Sequence, residues 1–201
     1  MPKDNSEFVG AVLCGGASSR FGQDKATYLH NGQPLAKIAL HALLEAGASE
    51  VWSIGGDENA LANMGFSAVP DDYPGEGPLG GLISALRLAS GKLASSKLAS
   101  NELPSICLVL SCDLPFASAS SVREVVAALA CEPRADGAVP LGEDDIPQYL
   151  HGAWRVRCLS ALKAVFADGG RSIRDGIEVL DAVKFCQVSD VTSLRDLDKM
   201  A

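Results

Sequence analysis

Apolar positions in this chain gather in short unbroken runs. Phe8-Val9-Gly10-Ala11-Val12-Leu13, Val51-Trp52-Ser53-Ile54 and Ile106-Cys107-Leu108-Val109-Leu110-Ser111 each read as a strand. A strand that is apolar at successive positions has both faces covered, as in a parallel sheet lying under two layers of helices. Between the first two runs, Leu35, Ile38, Ala39, Ala42, Leu43 and Ala46 recur at helical spacing, with Pro34 at the start and Gly47 at the end. Further on, the pattern predicts a helix over Glu58 to Met64, a strand over Phe66 to Val69, and a helix opened by Pro78 with Leu79, Leu82, Ile83 and Leu86 inward. Another helix begins near Ser118 to Ser121, with Val122, Val125, Val126 and Leu129 inward. Strands follow at Gly137 to Pro140, Tyr149 to Trp154 and Val183 to Val188, with helices from Val156 to Phe166 and from Asp190 to Met200. This alternation predicts an α/β fold, a three-layer, mostly parallel, Rossmann-like sheet with helices on both faces.

With 201 residues, 47% of them hydrophobic, the chain can bury one full core, and one domain over residues 1–201 is expected. Residues 90–104, rich in Ser and carrying an echo of Lys-Leu-Ala-Ser, read as an exposed insertion loop. A formal net charge of −8 without any basic cluster argues against nucleic acid as a partner. The apolar runs are far shorter than the roughly 18 residues of a membrane span, and the polar start does not resemble a signal peptide. No membrane association and a cytoplasmic location are expected. The six cysteines show neither a C-x-x-C pair nor zinc-like spacing with histidine, so they read as reduced packing residues.

The candidate chemistry begins where the first strand ends. Leu13-Cys14-Gly15-Gly16-Ala17-Ser18-Ser19-Arg20 leads on to Asp24-Lys25. Gly15 and Gly16 lack the Cβ atoms that would keep a ligand off the main chain, and Arg20 and Lys25 bring a planar fork and a mobile point charge to phosphate. The spacing fits neither G-x-x-x-x-G-K-(S/T) nor G-x-G-x-x-G. Pro70 to Pro78 holds three of the ten prolines and reads as an ordered loop carrying Asp71, followed by Gly80 and Gly81 in a first helical turn open to a ligand. The run from Ile106 places Asp113 at the carboxyl edge of the sheet, where a hard divalent cation would bind. Gly169-Gly170-Arg171-Ser172-Ile173-Arg174 offers two cations beside a helix start, suited to a second, anionic substrate or to a solvated surface. Cations, a glycine cradle and a single carboxylate, with no protein nucleophile, suit phosphoryl or nucleotidyl transfer.

Together, Leu13-Cys14-Gly15-Gly16, Ser19-Arg20-Phe21-Gly22 and Asp24-Lys25 resemble the L-x-G-G-x-x-S-R-(M/F)-G-x-D-K signature of the MobA-like nucleotidyltransferases. Pro74 to Gly81, Cys112-Asp113-Leu114-Pro115, Pro147-Gln148 to Trp154-Arg155 and Gly170-Arg171-Ser172-Ile173 extend the likeness over nearly the whole chain. The resemblance implies GTP, as its Mg2+ complex, and molybdopterin as small-molecule substrates, with molybdopterin guanine dinucleotide and pyrophosphate as products. It assigns Arg20, Lys25 and Asp113 to catalysis, and Leu13, Cys14, Gly15, Gly16, Lys25, Asp71, Gly80 and Asp113 to the nucleotide. It further assigns Asp113 to magnesium, and Arg171 and Asp190 to the acceptor. Transient contact with cofactor-insertion partners or target enzymes is implied as well. The chain departs from the family at Ile54-Gly55-Gly56, where an Asn is common, and at Asp190-Val191-Thr192-Ser193, which replaces a D-x-N-T-P-like segment. A cytidylyltransferase, a sugar-1-phosphate nucleotidyltransferase and a catalytically silent nucleotide-binding module share the loop and stay open as alternatives.

Overall fold

The computed structural model describes residues 8–15, 25–96 and 106–197. The strand elements are β1 (Phe8–Leu13), β2 (Leu29–His30), β3 (Gln33–Pro34), β4 (Val51–Ile54), β5 (Ser67–Val69), β6 (Ile106–Ser111), β7 (Gly137–Pro140), β8 (His151–Arg155) and β9 (Val183–Cys186). The helices are α1 (Leu35–Ala46), α2 (Glu58–Asn63), α3 (Pro78–Ser96), α4 (Ala119–Ala130), α5 (Leu159–Ala167) and α6 (Ile173–Ile177). Seven strands form one sheet in the order β5-β4-β1-β6-β8-β7-β9, in which β8 alone runs against its neighbours β6 and β7.

The unbroken apolar runs have the cause anticipated for them. In β1, Phe8 and Val12 face a core built with α1 and α4, whereas Val9, Ala11 and Leu13 face a second core built with α3 and α5. Both faces of the strand are therefore dry, and no position is left to alternate with a polar residue. Gly47 caps α1 in a left-handed conformation, and Ser118 caps α4.

Three expectations change. Asn31-Gly32, both at positive φ, closes a two-stranded hairpin between β2 and β3, which the apolar pattern did not reveal although Asn-Gly is a strong hairpin signal. The stretch expected as an insertion loop over 90–104 is helical through Ser96, because α3 continues through its Leu and Ala residues; residues 97–105 lie outside the described residues. The closing helix expected over Asp190 to Met200 does not form over its described part, where Val191–Leu194 is a 3-10 turn and Arg195 is extended; residues 198–200 lie outside the described residues. Ser193 Oγ donates back to the Asp190 carbonyl at 2.6 Å, a local bond that competes with helix propagation. Leu197 N–H then donates to the Asp113 carbonyl at 3.0 Å, which draws the chain to the sheet edge. Among the described residues, no helix is long and apolar enough to cross a membrane.

The short α6 is held by a reciprocal cap: Ser172 Oγ accepts from Asp175 N–H, and the Asp175 carboxylate accepts from Ser172 and Arg171 N–H, each at 2.9 Å. Those backbone donors hold the Asp175 carboxyl below its ordinary range. A depressed folded-state pKa stabilises the cap above the unfolded-state value, and that stabilisation is lost as pH falls through the folded-state value. Protection against amide exchange at Arg171 to Ile177, taken relative to the intrinsic rate at each pH, should therefore fall on acidification below about pH 4 before that of the central strands. A uniform loss of protection across the sheet would contradict this.

Candidate functional site

The site follows from strand register. Leu13 lies between Ile54 of β4 and Ser111 of β6, so all three strands end at one level. Beyond Leu13 the chain leans on β4, with Cys14 and Gly15 N–H both donating to the Ile54 carbonyl, at 2.9 and 3.2 Å. Gly55 has φ +71°, and a Cβ there would stand 3.0 Å from the Gly15 Cα, so two backbones touch where the family pattern often has an asparagine side chain. Asp71 enters from the loop after β5 and turns Oδ2 toward Gly15, 3.8 Å from where a Cβ on that residue would be. Leu13, Gly15, Ile54, Asp71, Gly77 and Gly81 help to line a cavity of about 290 Å³.

Asp113 stands two residues past β6. Ser111 Oγ donates to Oδ1 at 2.5 Å and Lys25 Nζ donates to Oδ2 at 3.1 Å. The ion pair is largely shielded, with 21% and 17% of the two side chains exposed, so it is stronger than a surface pair would be. Asp113 also lines a second cavity, of about 320 Å³, together with Gln148, His151, Ser172, Arg174 and Asp196. The two cavities share Pro78, Ser111 and Leu150 as a common wall. Gln148 and Leu150 reach this edge because β8 is reversed, so the residues preceding it lie beside the end of β6; Ser111 N–H donates to the Leu150 carbonyl at 2.9 Å.

Leu13, Cys14, Gly15, Lys25, Asp71 and Asp113 thus gather at one sheet edge, Cys14 as a buried member of the α1/α4 core. Gly16 and Arg20 lie outside the described residues. Gly80 is bare for packing, since a Cβ there would meet the Tyr73 Cβ at 2.8 Å, while Gly81 lines the first cavity. The Arg171 guanidinium pairs with Glu76 at 3.0 Å and lies 4.2 Å above the Phe166 ring, and Arg171 lines neither of these cavities. Asp190 lines neither cavity.

Arg174, the second cation read beside the start of α6, lines the second cavity, as does Gln148 of the Pro147-Gln148 segment; His151 and Asp196 escaped sequence reading, although His151 interrupts an otherwise apolar strand. Burial drives the His151 pKa down to about 3, so its ring is neutral, with Nε2 3.3 Å from Ser121 Oγ. A base that weak takes no proton from substrate near pH 7. Burial likewise pushes the Cys107 and Cys158 thiols up to about 12, in keeping with packing roles.

The carboxylate pattern fits magnesium. Asp113 offers hard oxygen ligands and Asp196 lines the same cavity, while no cluster of three or more His, Cys, Asp or Glu occurs among the described residues. Magnesium bound with substrate phosphates ordinarily takes only one or two protein carboxylates. Two abutting cavities, one of them lined by a carboxylate that is paired with a shielded lysine, offer room and charge for two phosphate-bearing molecules.

Comparison with known proteins agrees with this geometry. A relative from Opitutus terrae is 38% identical over 90 residues, a stretch that spans 45% of each chain. Molybdenum cofactor guanylyltransferase of Rhizobium johnstonii is 31% identical over 176 residues, covering 86% of this chain and 75% of that protein. In fold, the crystal structure of molybdopterin-guanine dinucleotide biosynthesis protein A from Archaeoglobus fulgidus superposes with a TM-score of 0.65 at 21% identity, covering 95% of this chain and 87% of that one. The model of the MobA-like NTP transferase domain matches residues 10–183, a span that holds β1, the Asp71 loop, Asp113 and the reversed strand, and the chain therefore belongs to the MobA-like nucleotidyltransferases.

Proposed function

We propose that this protein transfers GMP from Mg-GTP to the terminal phosphate of molybdopterin, releasing pyrophosphate and forming molybdopterin guanine dinucleotide. The observation that carries this reading is the pair of cavities meeting at Ser111, whose hydroxyl donates to Asp113, a residue that lines the second cavity and pairs with Lys25. The nucleoside occupies the cavity beside Gly15 and Asp71, and the acceptor occupies the one lined by Gln148 and Arg174.

A phosphate oxygen of the acceptor attacks the α-phosphorus of GTP, a new P–O bond forms, and the bond to the β-phosphate oxygen breaks with its electron pair leaving on pyrophosphate. A phosphate monoester with a second pKa near 6 is mostly dianionic at neutral pH, so no protein base is needed. Neutral, buried His151 is compatible with that chemistry. Asp113 and Asp196 would hold magnesium, which neutralises phosphate charge when bound. Lys25 exchanges its partner Asp113 for a phosphate oxygen and offsets charge that grows on the leaving group.

Guanine is favoured for reasons of room and polarity. The missing Cβ at Gly15 lets a purine lie against the main chain, and backbone N–H and C=O groups can meet both its O6 acceptor and its N2 donor. One unmatched buried polar edge costs about 1–3 kcal/mol, or roughly ten- to a hundredfold in selectivity. The other MobA-like nucleotide choice, CTP, would occupy the same cavity.

Three outcomes are expected. In competition between GTP and CTP with molybdopterin and magnesium, GTP should be incorporated preferentially by about ten- to a hundredfold, measured from the dinucleotide formed. Preferential CTP incorporation would reassign the base, and absence of pyrophosphate release with every nucleotide would leave a binding protein. Asp113→Asn should keep the fold by circular dichroism and lower kcat by about 10²- to 10³-fold; near-normal turnover would remove Asp113 from the reaction. Lys25→Ala should lose about 100-fold while Lys163→Ala, at an exposed position on α5, stays within about twofold, and equal losses would place the phosphates elsewhere.

A further inference from the structure

Ser84 lies inside α3 with 1% of its surface exposed. A serine within a helix ordinarily bonds back to the carbonyl four residues earlier, and Ser84 Oγ is 3.0 Å from the Gly80 carbonyl. The same oxygen is closer, at 2.7 Å, to Asp71 Oδ1, and it accepts from Asp72 N–H at 3.1 Å. A hydroxyl has one proton, and a carboxylate at the shorter distance is the stronger claimant. Asp71 Oδ1 also accepts from Tyr73 N–H at 3.1 Å, so two donors hold that oxygen while Oδ2 faces Gly15. One turn further along α3, Arg87 grips the Asp72 carboxylate through both Nε and a terminal nitrogen. The helix thus fixes two adjacent acidic residues of the loop, and only Asp71 lines a cavity.

We propose that Ser84 is a positioning residue for the nucleotide, holding the Asp71 carboxylate in the orientation that presents Oδ2 to the cavity beside Gly15. This rests on reading that cavity as the nucleoside site. An oriented carboxylate is an acceptor only, so it favours hydroxyl or N–H donors of a ribose or purine edge and disfavours an acceptor placed there. Without the Ser84 hydroxyl, Oδ1 loses one of its two donors, Asp72 N–H loses its acceptor, and the carboxylate can turn away.

The test is a double-mutant cycle on Mg-GTP binding, measured by calorimetry on the full chain for the wild type, Ser84→Ala, Asp71→Ala and the double variant. Ser84→Ala should weaken binding on the order of tenfold, and on the Asp71→Ala background it should have no further effect, because Ser84 acts through Asp71. A purely structural serine would instead weaken both backgrounds equally, and that additivity would overturn the proposal. If the alanine variant unfolds, Ser84→Cys fills the same space with a poor donor and carries the same comparison. Wild-type binding with an unchanged Ser84 variant overturns the positioning role alone. A wild type that binds no GTP overturns the reading of the cavity as well.

Discussion

Everything at this site depends on the level at which β1 stops. Leu13 is paired on one side with Ile54 and on the other with Ser111, so a slip of one residue would carry every β1 side chain to the opposite core. Such a slip would replace Gly10 with a side chain where a Cβ would already stand 2.9 Å from a Leu43 methyl, so tight packing opposes it. Register set by packing deep in the sheet therefore decides that Gly15 and Asp113, each two residues past its strand, emerge side by side. The contact between the Gly15 and Gly55 backbones is a consequence of that same alignment.

On the reading proposed above, the shielded ion pair between Lys25 and Asp113 has a role before substrate arrives. Lys25 and Asp113 are both substantially removed from water, and each would be poorly solvated without the other. Phosphate and a divalent cation can replace the two partners one for one, so local charge stays balanced from the empty to the loaded state.

The donor half of the site was readable because its residues follow strands in a simple forward order. A strand that ends in Leu13 or Ser111 announces where Gly15 and Asp113 must lie, and the proline-rich loop announces Asp71. The second cavity was harder to read. Gln148 reaches it only because β8 runs backwards, and strand direction leaves no mark on a run of residues as short as His151–Arg155. Arg171 and Arg174 stand together beside the glycines, and only the fold separates them: the Arg171 guanidinium is engaged by Glu76 and the Phe166 ring, while Arg174 lines the cavity. Asp196 lines it as well, brought there by a chain that leaves its 3-10 turn at an extended Arg195.

The reversed strand also bears on how such a protein can diversify. On the proposed reading, forward strands β1 and β6 deliver Gly15 and Asp113 to the nucleotide, whereas the segment before β8 and the loop into α6 supply Gln148, Ser172 and Arg174 to the acceptor. Those two walls are tethered to the frame by different elements, and they meet only along a narrow seam of Pro78, Ser111 and Leu150. Substitutions on the far side of that seam can therefore refashion what is accepted while leaving the donor apparatus undisturbed, a division of labour written into the direction of a single five-residue strand.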